Sequence, residues 1–254
     1  MKLFRLALCV FILSGCTLSG GGSQGTQLQD STRAQASARI HTELAASYYE
    51  RKQYGVALQE LGVAMKADSR YAPAYNVRAL VRMALREDEQ ADADFRRSLQ
   101  LDGSNSETHN NYGWFLCQRG RAKESIVQFQ GALKNALYAT PEVAYANLGM
   151  CSKKAGLMKE AESNFQRALI LRPNMPEALY GLAEWSFDSG DFAGAKSYFM
   201  RFSQGLDELN AEQLWLAVRI ERKMRDRNSE ASYALQLRKR FPDSREAQLL
   251  SQGE

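Results

Sequence analysis

Small residues recur along the chain at Ala45, Ala79, Gly113, Gly149, Ala183 and Ala217, in steps of 34, 34, 36, 34 and 34 residues. Twelve residues after each of the first five comes a second small position, at Ala57, Ala91, Ser125, Ala161 and Ala195. Four further on stand Leu61, Phe95, Phe129, Phe165 and Phe199, and three beyond those Ala64, Ser98, Ala132, Ala168 and Phe202. Spacings of three and four residues place side chains on one helix face, so each period reads as two amphipathic helices joined by a turn. The two helices approach closely only where a side chain is nearly absent, and the large residue fills the adjoining gap.

This pattern predicts helix pairs over about 33–69, 72–103, 106–139, 142–174, 176–207 and 210–241. The sixth keeps Ala217 but has no clear small match in its second helix, as befits a terminal repeat with one face toward water. A short helix from Ser244 to Leu250 is expected to cover the open end. Pro173, Pro176 and Pro242 fall between helices, and Thr140 and Pro141 account for the 36-residue step as a longer turn. A 34-residue helix-turn-helix period with small, small, large and small residues in that order is the tetratricopeptide (TPR) signature. The expected fold is therefore all-α, a right-handed α-solenoid of six TPR pairs plus a C-terminal capping helix, spanning residues 33–252. The repeats run over about 38–71, 72–105, 106–139, 142–175, 176–209 and 210–241.

The first 32 residues do not follow the period. A basic start at Lys2 and Arg5, an apolar run from Leu6 to Leu13 and the sequence Leu13-Ser14-Gly15-Cys16 form a secretory signal over residues 1–15. Leu13-Ser14-Gly15-Cys16 resembles the bacterial lipobox, which implies cleavage before Cys16 and acylation of that cysteine. Several long acyl chains at about 0.8 kcal/mol per buried methylene make a durable anchor. Thr17 stands where an aspartate would retain the lipoprotein in the inner membrane, so the resemblance points to the periplasmic face of the outer membrane. Residues 16–32, rich in Gly, Ser, Gln and Thr, are expected to be a flexible tether.

Composition narrows the function. Loss of Lys2 and Arg5 leaves 31 basic and 29 acidic residues, a balance that argues against a nucleic-acid partner. The two histidines, His41 and His109, occupy equivalent places two repeats apart and read as helix-packing residues. No metal-ligand spacing, phosphate-binding glycine loop or nucleophile elbow occurs, so no enzyme, cofactor or small-molecule substrate is expected.

Two cysteines remain in the mature body, Cys117 and Cys151, one repeat length apart on the first helices of adjacent repeats. They either form a disulfide, which an oxidising periplasm favours, or are two separate buried thiols. First helices line the inside of a TPR superhelix. Residues three before, one after and four after each marker are Thr42, Ala46 and Tyr49; Asn76, Leu80 and Met83; Asn110, Trp114 and Cys117; Ala146, Met150 and Lys153; Tyr180, Glu184 and Phe187. From these, Tyr49, Asn76, Leu80, Met83, Asn110, Trp114, Met150, Tyr180 and Phe187 are the expected partner-binding residues. The amides would bond a peptide backbone while Met and aromatic side chains cover its apolar groups. Packing against neighbouring helices is the competing role for each.

The lipobox, the six repeats, NNYGWFLC at 110–117, ALKNALYATPE at 132–142 and NLGMC at 147–151 together resemble the type IV pilus biogenesis and stability lipoproteins, the PilF/PilW family. The resemblance covers the whole mature chain. It implies a pilotin that brings the secretin subunit PilQ to the outer membrane and promotes its multimerisation, and its paired cysteines match Cys117 and Cys151. Asn135-Ala136 departs from the family's asparagine-proline at that place. A general periplasmic TPR scaffold for envelope or peptidoglycan enzymes, or an outer-membrane protein assembly factor, would share the anchor and the repeats.

Overall fold

A computed structural model describes the backbone of residues 22–253 and the side chains from residue 30 onward. Cys16, the lipobox and the signal segment lie outside the described residues. Thirteen helices follow one another: α1 (Gly22–Glu50), α2 (Tyr54–Ala67), α3 (Ala72–Ala84), α4 (Asp88–Leu101), α5 (Ser106–Gln118), α6 (Ala122–Ala132), α7 (Pro141–Lys154), α8 (Met158–Leu171), α9 (Pro176–Asp188), α10 (Phe192–Ser203), α11 (Ala211–Met224), α12 (Arg227–Arg240) and α13 (Arg245–Gln252). Odd and even helices pair as six hairpins, and α13 closes the array against α11 and α12. The fold is an all-α solenoid of TPR repeats.

The periodic small residues sit where the pattern requires. Ala45, Ala57, Ala64, Ala79, Ala91, Ser98, Ser125 and Ala132 are fully buried, and so are Leu61, Phe95 and Phe129 between them. Every hairpin turn also contains one residue in the left-handed region: Lys52, Arg86, Gly120, Gly156, Gly190 and Arg225. Glycine adopts this conformation without cost, whereas a residue with a Cβ loses about 1–2 kcal/mol.

Two expectations change. Residues 22–32 are helical and continue α1, inside the stretch assigned to a flexible tether. A helix already nucleated by the packed half of α1 extends at little cost, whereas low-complexity composition reports only the inability to bury area. The first buried side chain is Ala38, so residues 30–37 add helix without joining the core. Pro141 is the first residue of α7 rather than part of the turn. The missing proline N–H costs nothing at that position, and the extra length falls in residues 133–140, after an α6 of only 11 residues. Pro176 likewise starts α9.

Candidate partner-binding surface

First helices of successive repeats touch each other, α1 with α3, α3 with α5, α5 with α7 and α7 with α9, while second helices have no comparable contact. The array therefore curves with its first helices inside, and the face they share is the candidate surface.

The predicted residues do lie on these helices, but their side chains are not open. Asn76, Asn110 and Phe187 are buried, and Tyr49, Leu80, Met83, Trp114, Met150 and Tyr180 are half-buried. Leu80 and Met83 pack on the cluster of Phe95, Tyr112, Phe115 and Leu116. Tyr49 meets Tyr54 with ring centroids 6.0 Å apart, Met150 joins the cluster around Phe165, and Tyr180 meets Phe202 at 5.0 Å. Phe187 is covered by the Arg219 guanidinium 4.1 Å above its ring. Asn76, Asn110 and Phe187 are thus closed off, contrary to the expectation, whereas the other six fill the seams between adjacent hairpins and keep part of their surface. The reason is geometric, because a large side chain one or four residues after the marker projects toward the next first helix as well as toward the interior of the curve.

The asparagines are also engaged. Asn111 Nδ2 donates to Asn76 Oδ1 at 3.3 Å, and Asn147 Nδ2 donates to Asn110 Oδ1 at 3.1 Å. Each pair runs from three residues before one marker to two residues before the next, so the same bond is repeated across α3–α5 and α5–α7. The amides expected to bond a peptide backbone instead join first helices to each other. Asn111 and Asn147 were not among the predicted residues, although their constant place two before the marker was the signal available for them. The ladder stops beyond α7 because the corresponding positions hold Ala146 and Gly181.

Next to the ladder, Cys117 and Cys151 are joined with a Cα–Cα distance of 5.9 Å, linking α5 to α7. Trp114, Phe129 and Leu148 pack around the pair. Together these contacts give a rigid centre: one covalent link, two amide pairs and one indole across three hairpins. His41 lies 2.6 Å from the Glu60 carboxylate and His109 2.8 Å from the Gln128 amide, equivalent contacts between the helices of one hairpin. His109 Nε2 also donates to the Gly103 carbonyl at 3.1 Å.

Beyond the disulfide the surface changes character. Lys153 Nζ and Glu184 Oε2 form a 2.8 Å ion pair from α7 to α9. Burial pushes the Glu184 carboxyl above the usual carboxylate range, against the pull of Lys153. Burial likewise raises the Tyr49 and Tyr180 hydroxyls. Trp185, which also escaped the sequence reading, lines an apolar recess of about 240 Å³ with Met158, Ala161 and Phe165. The inner face is thus braced by amide pairs and the disulfide from α3 to α7, and by an ion pair from α7 to α9. Among the described residues no group of three His, Cys, Asp or Glu side chains is placed to hold a metal ion.

Comparison with known proteins fits this arrangement. The tetratricopeptide repeat family matches residues 143–175. The type IV pilus assembly protein PilF of Pseudomonas aeruginosa is 30% identical over 236 residues, which is 93% of this chain and 92% of that one. The crystal structure of PilW, described as a widely conserved type IV pilus biogenesis factor, superposes with a TM-score of 0.76 at 33% identity, covering 84% of this chain and 97% of that one. A structure of Pseudomonas aeruginosa PilF gives a TM-score of 0.83 at 28% identity over 87% and 99% of the two chains.

Proposed function

The chain belongs to the PilF/PilW family of type IV pilus biogenesis TPR proteins, and from that premise we propose that it is a pilotin: a lipoprotein, acylated at Cys16, that binds the secretin subunit PilQ at the periplasmic face of the outer membrane and promotes its multimerisation. It acts by binding, with no chemical step. The observation that carries this reading is likeness over nearly the whole length, including the segment around Cys117 and Cys151, rather than in one generic repeat.

The geometry supports a specific way of binding. Tyr49, Leu80, Met83, Trp114 and Met150 each keep part of their surface at the seams of the inner face, while the disulfide and the asparagine pairs hold those seams in register. A pre-ordered surface loses little conformational entropy on binding, which favours an extended or helical secretin segment over a rigid domain.

A deletion strain tests the proposal. Loss of twitching and of heat-resistant secretin multimers, with both restored by the wild-type gene and not by Cys16→Ala, is the expected result. Normal secretin multimers with altered cell shape or porin levels would instead identify an envelope scaffold or an outer-membrane assembly factor.

A further inference from the structure

Four of the first five helix pairs carry Ala or Ser three residues after the large core position, at Ala64, Ser98, Ala132 and Ala168, but the fifth carries Phe202. Phe202, in α10, packs in one cluster with Phe187 of α9, Phe199 and Leu216 of α11. It puts a ring where the other four pairs carry a buried methyl or hydroxymethyl group. The backbones of α9 and α11 approach each other less than those of every earlier pair of successive first helices. The gap between them, bounded on its third side by α13, is a cleft of about 240 Å³.

Its lining combines two kinds of group. Tyr180, Trp215, Leu216 and Leu249 supply aromatic and apolar walls. Around them stand the carboxylates of Glu184, Asp188, Glu212 and Glu246. Only Glu184 has an ion-pair partner among these, Lys153 at 2.8 Å. Two cations also line the cleft. Arg219 is turned onto the Phe187 ring at 4.1 Å, and Arg245 is exposed at the first turn of α13. With Lys153 counted on Glu184, four carboxylates meet three cations, a negative excess of one beside the rings of Tyr180 and Trp215, the latter with the Arg222 guanidinium 5.9 Å from its centre.

We propose that this cleft is a binding site for an arginine side chain presented on an extended apolar peptide segment of a partner protein. A guanidinium is planar, so it stacks on an indole or phenol face while its N–H groups reach carboxylates at the edge, and a flanking leucine meets the half-buried Leu249. A lysine ammonium would satisfy the charge but not the stacking. The site lies at the opposite end of the array from Tyr49 and holds whether or not the partner of the inner face is a secretin.

The test uses the complete mature chain and the peptide acetyl-Leu-Arg-Leu-amide, with its lysine and citrulline counterparts, by isothermal titration at low salt. The arginine peptide should bind, and citrulline, which keeps the shape but not the charge, should weaken binding about tenfold, the scale of one charge-assisted contact. Glu212→Gln and the double variant Glu212→Gln/Glu246→Gln change partly exposed side chains and should fold normally. The double variant should weaken the arginine peptide by about tenfold or more and leave the citrulline peptide unchanged. Equal binding of arginine and citrulline peptides, or an unaltered affinity in the double variant with an unchanged melting curve, would overturn the assignment. Equal binding of lysine and arginine peptides would overturn the stacking role of Trp215 and Tyr180.

Discussion

Replacing Gly181 by alanine should destabilise the array, against the usual expectation for a glycine inside a helix. Gly181 lies in α9, and an ideal Cβ built there falls 2.4 Å from Cζ, 2.6 Å from Cε2 and 2.7 Å from Cε1 of Phe165. Carbon atoms prefer about 3.5–4.0 Å, so the ring would have to retreat by about 1 Å. It has nowhere to go. On its other side Gly149 leaves the same ring a Cβ clearance of only 2.7 Å, and Ala146, Ala161, Ala168, Ala178 and Leu182 enclose the rest. Overpacking of this kind costs about 1–3 kcal/mol, while the helix-propensity gain of Ala over Gly returns about 0.8–1 kcal/mol. The net loss should be up to about 2 kcal/mol, which for a chain of this size lowers Tm by up to roughly 8 °C. Gly62→Ala in α2 isolates the propensity gain, because a Cβ there meets nothing within 4 Å. Thermal melting by circular dichroism should show Gly62→Ala slightly more stable and Gly181→Ala less stable than the parent. Phe165→Leu removes the ring atoms that the new methyl strikes, so the double variant Gly181→Ala/Phe165→Leu should recover at least about 1 kcal/mol in a double-mutant cycle. If Gly181→Ala melts as high as Gly62→Ala, Phe165 is not a wedge between α7 and α9 and the reasoning fails.

Four further outcomes are expected. Arg86→Gly, at an exposed left-handed turn, should stabilise by about 0.5–1 kcal/mol in chemical denaturation, since it relieves a Cβ penalty that Gly120, Gly156 and Gly190 do not carry. Reducing the Cys117–Cys151 bond, which closes a loop of 34 residues, should cost about 3–4 kcal/mol in a chain-entropy treatment, read as a lower denaturation midpoint with dithiothreitol than without. Trp114→Ala should lower both stability, by about 2 kcal/mol because the indole packs on the disulfide cluster, and secretin binding; a stability loss with unchanged binding would remove the inner face from the binding site. Acid should destabilise the fold between about pH 5 and 3. Hydrogen bonds from Arg119 to Asp88, Ser104 to Asp102, Arg121 to Glu124 and the Ser229 backbone to Asp226 hold these carboxyls below the usual range, so their contribution is present above the unfolded value near 4 and is lost as pH falls through the folded values. Glu184, raised by burial, acts in the opposite sense, and a melting temperature that rises on acidification would show that it dominates.

The period was legible in the sequence because it is a local property. Small residues 34 apart, a large residue between them and glycine near the turns fix helix positions and the closeness of each hairpin, and those constraints act within about 30 residues. The closeness of Cys117 and Cys151 was legible for the same reason, since one repeat length on equivalent helices sets their separation, while the bond itself was one of two readings the sequence left open. The exposure of Trp114, Met83 or Phe187 was not legible. A residue at the edge of a helix face faces either the open curve or the next hairpin, and the angle between hairpins, which no single repeat encodes, decides between them. That angle also turned the asparagines from expected ligands of a peptide into partners of each other, because Asn76 and Asn111 come within 3.3 Å only once α3 and α5 are stacked. Phe202 shows the converse. Its break with the pattern stood in the sequence, but the carboxylate-rimmed cleft beside it depended on how α9, α11 and α13 pack together.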